Sequence, residues 1–247
     1  MILTTATNLI VDGLLALVYP QACAICQGCL SRGKLGIVCA DCWQATRLFN
    51  EQDTICWKCG APSLGTCAPE KKTTVRCRRC EEDWFTFARA CGDYAGALQA
   101  AVLALKREPN VSQQLLNLLA EAQRRPPLDQ ATLVIPVPLH PEREKERGFN
   151  QAAIIGRQLA RRLQLPFADR VLIRTTHSER HRAGMDATAR RASVAKAFAV
   201  SHPRLVRAEK ILLVDDVFTT GATVSACAEA LLAADAAAVF VLTIARA

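Results

Sequence analysis

Residues 211–223 read ILLVDDVFTTGAT, and the fold follows from them. Ile211, Leu212, Leu213 and Val214 form an unbroken apolar run of branched residues, which suits a strand covered on both faces in a parallel sheet. Polarity then switches at once. Asp215 and Asp216 fall where such a strand would leave the sheet, and ligands of open α/β sheets collect at the carboxyl ends of strands. Thr219, Thr220, Gly221, Ala222 and Thr223 follow, small and hydroxyl-rich, ahead of a helical run over 224–234. A turn of this composition is an anion cradle. Gly221 lets the backbone approach closely, the threonine hydroxyls donate, and the first N–H groups and dipole of the helix favour a phosphate. The plainer alternative is a strand–turn–helix whose acids are merely solvated. A nucleotide-hydrolase acidic strand would need a G-x-x-x-x-G-K-[ST] loop, which this sequence lacks.

Outward from this stretch, LVIPVPL at 133–139 reads as a second buried strand. Its tail, Pro138, Leu139, His140 and Pro141, turns into a helix carrying Ile154, Ile155, Leu159 and Leu163. His140 there is either a phosphate ligand or general acid, or a turn histidine satisfied by the backbone. Arg143, Lys145 and Arg147 alternate with Glu142, Glu144 and Glu146, the pattern of a self-paired solvated surface, although Gly148 gives Arg147 backbone freedom. Upstream, 87–94 reads as a strand, Leu98, Val102 and Leu105 share a helix face, and a helix over 111–123 stops before Pro126 and Pro127. Residues 171–174 read as a short strand.

The cysteines divide the chain. Eleven of 12 lie before Gly92, so a boundary is expected at 92/93, with a cysteine-rich unit over 1–92 and an α/β unit over 93–247. Cys23-x2-Cys26, Cys39-x2-Cys42, Cys56-x2-Cys59 and Cys77-x2-Cys80 place thiolates on four tight knuckles. Two knuckles make one closed tetrahedral sulfur site, so eight ligands imply two structural zinc ions without an open catalytic position. Sequence leaves open whether consecutive pairs share a zinc or the pairs interleave. Cys29, Cys67, Cys91 and Cys227 are read as small buried residues or spare thiols.

The formal charge of +8 is concentrated in the second half, where 21 basic residues face 15 acidic ones over 93–247. Residues 170–191 hold six arginines against two acids, and Lys71, Lys72, Arg76, Arg78 and Arg79 crowd the last knuckle. Such charge fits a polyanion, whether pyrophosphate or nucleic acid, or simply a solvated face. With 51% hydrophobic residues the chain is no low-complexity polymer, and at 5% aromatics it offers few stacking platforms. Residues 1–20 carry apolar positions at helical spacing, but no basic residue precedes the run and Asp12 interrupts it. Secretion and membrane insertion are therefore disfavoured, a cytoplasmic setting is expected, and the thiols should stay reduced.

The 211–223 stretch resembles the phosphoribosyl pyrophosphate (PRPP) motif of type I phosphoribosyltransferases. The resemblance implies that Asp215 and Asp216 contact the ribose 2′- and 3′-hydroxyls, that Thr219, Thr220, Gly221, Ala222 and Thr223 hold the 5′-phosphate, and that the turn with Leu139 and His140 receives the pyrophosphate, with Arg147 nearby. PVPLHPEREKERGFNQ at 136–151 is similar to the ComF family, in which such a domain follows zinc-binding cysteines. Pro20 to Cys26, Leu105-Lys106, Arg147 to Gln151 and the terminal Ala245-Arg246 extend the likeness over nearly the whole chain. It implies a parallel sheet with helices on both faces behind a double zinc ribbon, with magnesium accompanying PRPP. Phosphoribosyl transfer to an unidentified acceptor is the expected chemistry, with Asp215, Asp216 and Arg147 in the catalytic set, and DNA uptake or utilisation the expected process. Single-stranded DNA and other competence proteins are implied partners. The other reading is a PRPP-sensing or single-stranded-DNA-binding module without turnover. A hood loop is expected over 175–185, but ComF-type chains have a glutamine near Arg182 and an asparagine near Ser193, so the acceptor contacts depart from the pattern.

Overall fold

The computed structural model describes residues 22–28, 30, 36–63, 65, 67–175 and 197–247. The helix expected over 1–20, Cys29, all but Thr175 of the hood loop, and Arg180, Arg182, Arg190, Arg191 and Ser193 lie outside the described residues. In chain order the elements are α1 (Ala40–Gln44), β1 (Phe87–Asp93), α2 (Gly96–Leu105), α3 (Gln113–Gln123), β2 (Leu133–Pro136), α4 (Pro141–Arg147), α5 (Gln151–Leu163), β3 (Leu172–Arg174), β4 (Phe198–Val200), β5 (Lys210–Phe218), α6 (Ala222–Ala233) and β6 (Ala238–Arg246).

The apolar runs read from the sequence become a four-stranded sheet in the order β1-β6-β5-β2, every neighbouring pair parallel. A separate antiparallel pair joins β3 to β4. Side chains alternate across β5. Leu212 and Val214 pack with α2, α3 and α5 on one face, whereas Ile211 and Leu213 pack with Val224, Cys227 and Leu231 of α6 on the other. Helices on both faces of a parallel sheet are what such continuous apolar strands require.

Helix ends follow local chemistry. The Ser112 hydroxyl accepts from Leu115 N at 3.2 Å to cap α3, and the Asn150 side chain accepts from Ala152 N at 3.0 Å to cap α5. β2 is shorter than the 133–139 run. Val137 still donates to the Val214 carbonyl at 2.9 Å, but Pro138 has no N–H with which to continue the ladder.

The cysteine-rich segment packs on both faces of the sheet. Cys23, Leu30, Val38 and Trp43 join the core beneath α2 and α3, while Cys56, Cys59, Cys80 and Phe85 join the core beneath α6. β1 pairs along β6, so the boundary expected at 92/93 falls inside a strand of the sheet. Among the described residues no helix is long and apolar enough to cross a membrane.

Candidate functional site

All four parallel strands end on one edge, and β5 outlasts its neighbour there. The β2–β5 register stops at Pro136 opposite Val214, while β5 and β6 remain paired to Phe218 opposite Arg246. From Asp215 onward, among the described residues, one side of β5 therefore lacks a strand, and both acids stand in that notch rather than beyond the strand's end.

Asp216 is buried and already partnered. Gln151 Nε2 donates to its Oδ2 at 3.3 Å, and the Lys106 ammonium lies 4.0 Å from the same oxygen. Arg147 donates to Gln151 Oε1, so it reaches the acid through one intervening amide. The Asp215 carboxylate accepts from Asp216 N at 2.9 Å. Burial first, and the adjacent Asp216 charge second, push its carboxyl well above the usual carboxylate range, with Lys106 opposing. Sequence reasoning named Asp215, Asp216 and Arg147 as site residues but not Gln151 or Lys106, although both fall in the family-like stretches.

The turn after β5 has the shape its composition implied. Gly221 caps α6 at φ 82°, and a Cβ there would meet the Phe218 ring at 2.8 Å. The Thr220 hydroxyl accepts from Ala222 N at 3.4 Å. The 12-residue helix directs its N-terminus at this turn. At the end of β2, the neighbouring strand, His140 is buried and caps α4, its Nδ1 accepting from Glu142 N at 3.3 Å. Leu139 lies half-buried beside it.

The eight paired cysteines gather as two groups built from consecutive pairs, Cys23, Cys26, Cys39 and Cys42, then Cys56, Cys59, Cys77 and Cys80, with all sulfurs of a group within 4.8 Å of one another. Four sulfurs about 2.3 Å from one tetrahedral ion stand roughly 3.8 Å apart. The separations Cys26–Cys39 of 3.7 Å, Cys56–Cys80 of 3.6 Å and Cys59–Cys77 of 3.5 Å fit that demand. Cys23 Sγ accepts from Cys39 N at 3.4 Å, and Cys56 Sγ from Cys77 N at 3.3 Å. Burial raises both thiols, but backbone N–H donors outweigh it and bring each down to about 6. Two cations flank the second group. Arg89 lies over Trp57 and donates to its carbonyl, while Arg246 Nη2 is 3.8 Å from Cys59 Sγ. These are the surroundings of a closed, negatively charged sulfur site, and both groups could hold zinc. Cys91 and Cys227 are buried in the core, as read from the sequence, whereas Cys67 is half-buried with its sulfur 3.9 Å from the Thr54 hydroxyl.

Residues 150–247 match the phosphoribosyl transferase domain family. Competence protein F of Haemophilus influenzae is 29% identical, over 82% of this chain and 87% of that protein. DNA utilization protein YhgH of Escherichia coli is 31% identical over 236 residues, covering 93% of this chain and 99% of that protein. The chain belongs to the ComF family. The structure of glutamine PRPP amidotransferase from B. subtilis, complexed with ADP and GMP, overlaps 58% of this chain and 30% of its own length at 16% identity. Its TM-score of 0.39 is too low to bear on the ComF chain's chemistry.

Proposed function

We propose that the notch between β2 and β5 binds PRPP with magnesium, and that the protein is a phosphoribosyltransferase acting on an acceptor produced or handled during DNA uptake and utilisation. The observation that carries this reading is the placement of Asp215 and Asp216 in the notch, immediately ahead of a turn that feeds a helix N-terminus at left-handed Gly221. Carboxylates accept from a pair of ribose hydroxyls, and Thr219, Thr220, Gly221, Ala222 and Thr223 surround a terminal phosphate. Leu139 and His140, one strand away, border the pyrophosphate.

The two acids supply hard oxygen donors and no soft ones, which suits magnesium carried in with the pyrophosphate. Magnesium held there would supply charge neutralisation for the pyrophosphate. The chain's own part is positioning. Lys106 and Gln151 hold Asp216, Arg147 braces Gln151 and brings a positive charge, and the turn fixes the phosphate end of the sugar. Breaking the bond between ribose C1′ and pyrophosphate oxygen while an acceptor nitrogen attacks requires no protein nucleophile. A metal-binding unit ahead of a transferase unit belongs to this reading, as does a cytoplasmic setting that keeps the cysteines reduced.

Calorimetry of the zinc-loaded chain with PRPP and magnesium tests it. Each charged hydrogen bond to a hydroxyl contributes about 1.5–3 kcal/mol, so Asp215→Asn and Asp216→Asn should each weaken binding about tenfold or more while the fold survives. Unchanged affinity in the double variant would remove the acids from the ligand. Product formation from PRPP and a panel of bases then separates a transferase from a site that binds without turnover.

A further inference from the structure

The strand order sets three stations along the carboxyl edge. β2 ends at the turn over 137–140, and β5 ends at the turn over 219–223. Beyond β5, on the side away from β2, the ends of β6 and β1 lie near the second cysteine group. At this third station is a cavity of about 780 Å³, walled by Phe218, Thr219 and Thr220 on one side and by Arg246, Asp93 and Glu82 around it. That volume is within the range of roughly 300–1,000 Å³ usual for ligand sites. Asp215 and Asp216 do not line it, so it adjoins the phosphate end of the notch rather than the sugar end.

One wall is a fixed flat cation. Arg246 Nη1 donates to the Cys59 carbonyl at 2.7 Å, and its guanidinium lies 4.3 Å from the centroid of the Phe218 ring. Pinned at one edge and over one ring, the guanidinium is a preordered plane bordering the cavity, and such planes stack nucleobases. The Glu82 carboxylate and the Asp93 carboxylate, the latter paired with Arg47 Nε at 3.3 Å, border the cavity, and carboxylate oxygens accept from the exocyclic amino group of cytosine or adenine.

We propose that this cavity takes a nucleoside joined through a phosphodiester to the phosphate on the 219–223 turn, so that the site accepts the 3′-terminal unit of a polynucleotide as well as a phosphomonoester. The proposal rests on the turn's being a phosphate site. The terminal ribose faces Asp215 and Asp216, its 5′-phosphate sits on the turn, and the preceding nucleoside enters the cavity with its base on Arg246. PRPP or a mononucleotide fills only the first part of this arrangement.

Two probes isolate the cavity: cytidine 5′-monophosphate and the dinucleoside monophosphate CpC, titrated by calorimetry into the zinc-loaded full chain. CpC should bind about tenfold or more tightly than the mononucleotide, and UpU, which lacks amino groups, should bind less tightly than CpC. Pro62 lines the cavity beside Cys59, so Pro62→Trp narrows it from the cysteine side, and Arg246→Lys keeps the charge without the plane. Each should cancel the CpC advantage while leaving the mononucleotide affinity in place. Zinc content monitors folding, and the substitutions act from different walls, so loss of one variant leaves the other as the test. Equal affinities for the two probes in the wild type, or an advantage that survives both substitutions, overturns the proposal. PRPP binding without any CpC advantage sinks the cavity alone, whereas failure to bind PRPP, mononucleotide and CpC alike sinks the phosphate reading and the cavity together.

Discussion

Asp215 carries a cost to the fold, because burial and the adjacent Asp216 disfavour its charged form. Its pKa is raised above the unfolded value of about 3.9, so the native state binds its proton more tightly than the unfolded chain does. That contribution to stability is fully present below about pH 4 and is lost as pH rises through the raised value. Asp215→Asn removes the loss. Thermal unfolding should therefore show the variant more stable than wild type near neutral pH, with the difference vanishing below about pH 4. A constant difference across that range would mean that the carboxyl is not desolvated as described. Gly221 carries the opposite cost. At φ 82° an L-residue pays about 1–2 kcal/mol, so Gly221→Ala should lower Tm by roughly 2–8 °C in a chain of this size. Contact of the new methyl with Phe218 should also reshape the turn, so PRPP affinity should fall with it.

Elements were legible where one local pattern decided them. The apolar run at 211–214 predicted β5, yet the strand reaches Phe218 because β6 remains alongside as a partner, and apolar counting cannot see a partner about 30 residues away. The cysteine knuckles were clear from spacing alone, but their grouping was not, since pairs with 12 and 17 intervening residues fit either arrangement. Consecutive grouping appears only when Cys39 N is found on Cys23 Sγ and Cys77 N on Cys56 Sγ. Gln151 illustrates the same limit at the candidate site. Beside Asn150 it reads as the first residue of a capped helix, and its bond to Asp216 spans 65 residues. For the cysteine groups, purified protein should contain two zinc ions per chain by elemental analysis, and Cys77→Ser should contain one. Retention of two in that variant, or none in the wild type, would exclude the four-sulfur assignment.

Across the whole molecule, Lys71, Arg76, Arg78 and Arg79 are exposed on the last knuckle. If they meet a single strand, log affinity should fall with log salt by about 0.7 per phosphate contacted, so Arg76→Gln with Arg78→Gln should flatten the slope by roughly 1.4. Titrations of labelled single-stranded DNA at several salt concentrations measure it, and an unchanged slope would assign those charges to solvent. The pairing of β1 with β6 also sets a timetable. Phe87 emerges from the ribosome some 150 residues before its partner Phe240, which at about 5–20 residues per second is a delay of roughly 8–30 s. During that interval β1 waits as an apolar ribbon with one unanswered edge, the kind of surface that recruits a neighbouring nascent chain. Arg89 places a charge in the middle of the strand, the kind of residue that discourages such pairing, and it donates to the Trp57 carbonyl. The cysteine-rich segment leaves the ribosome early, while the wall supplied by Arg246 arrives only with the last strand of the sheet.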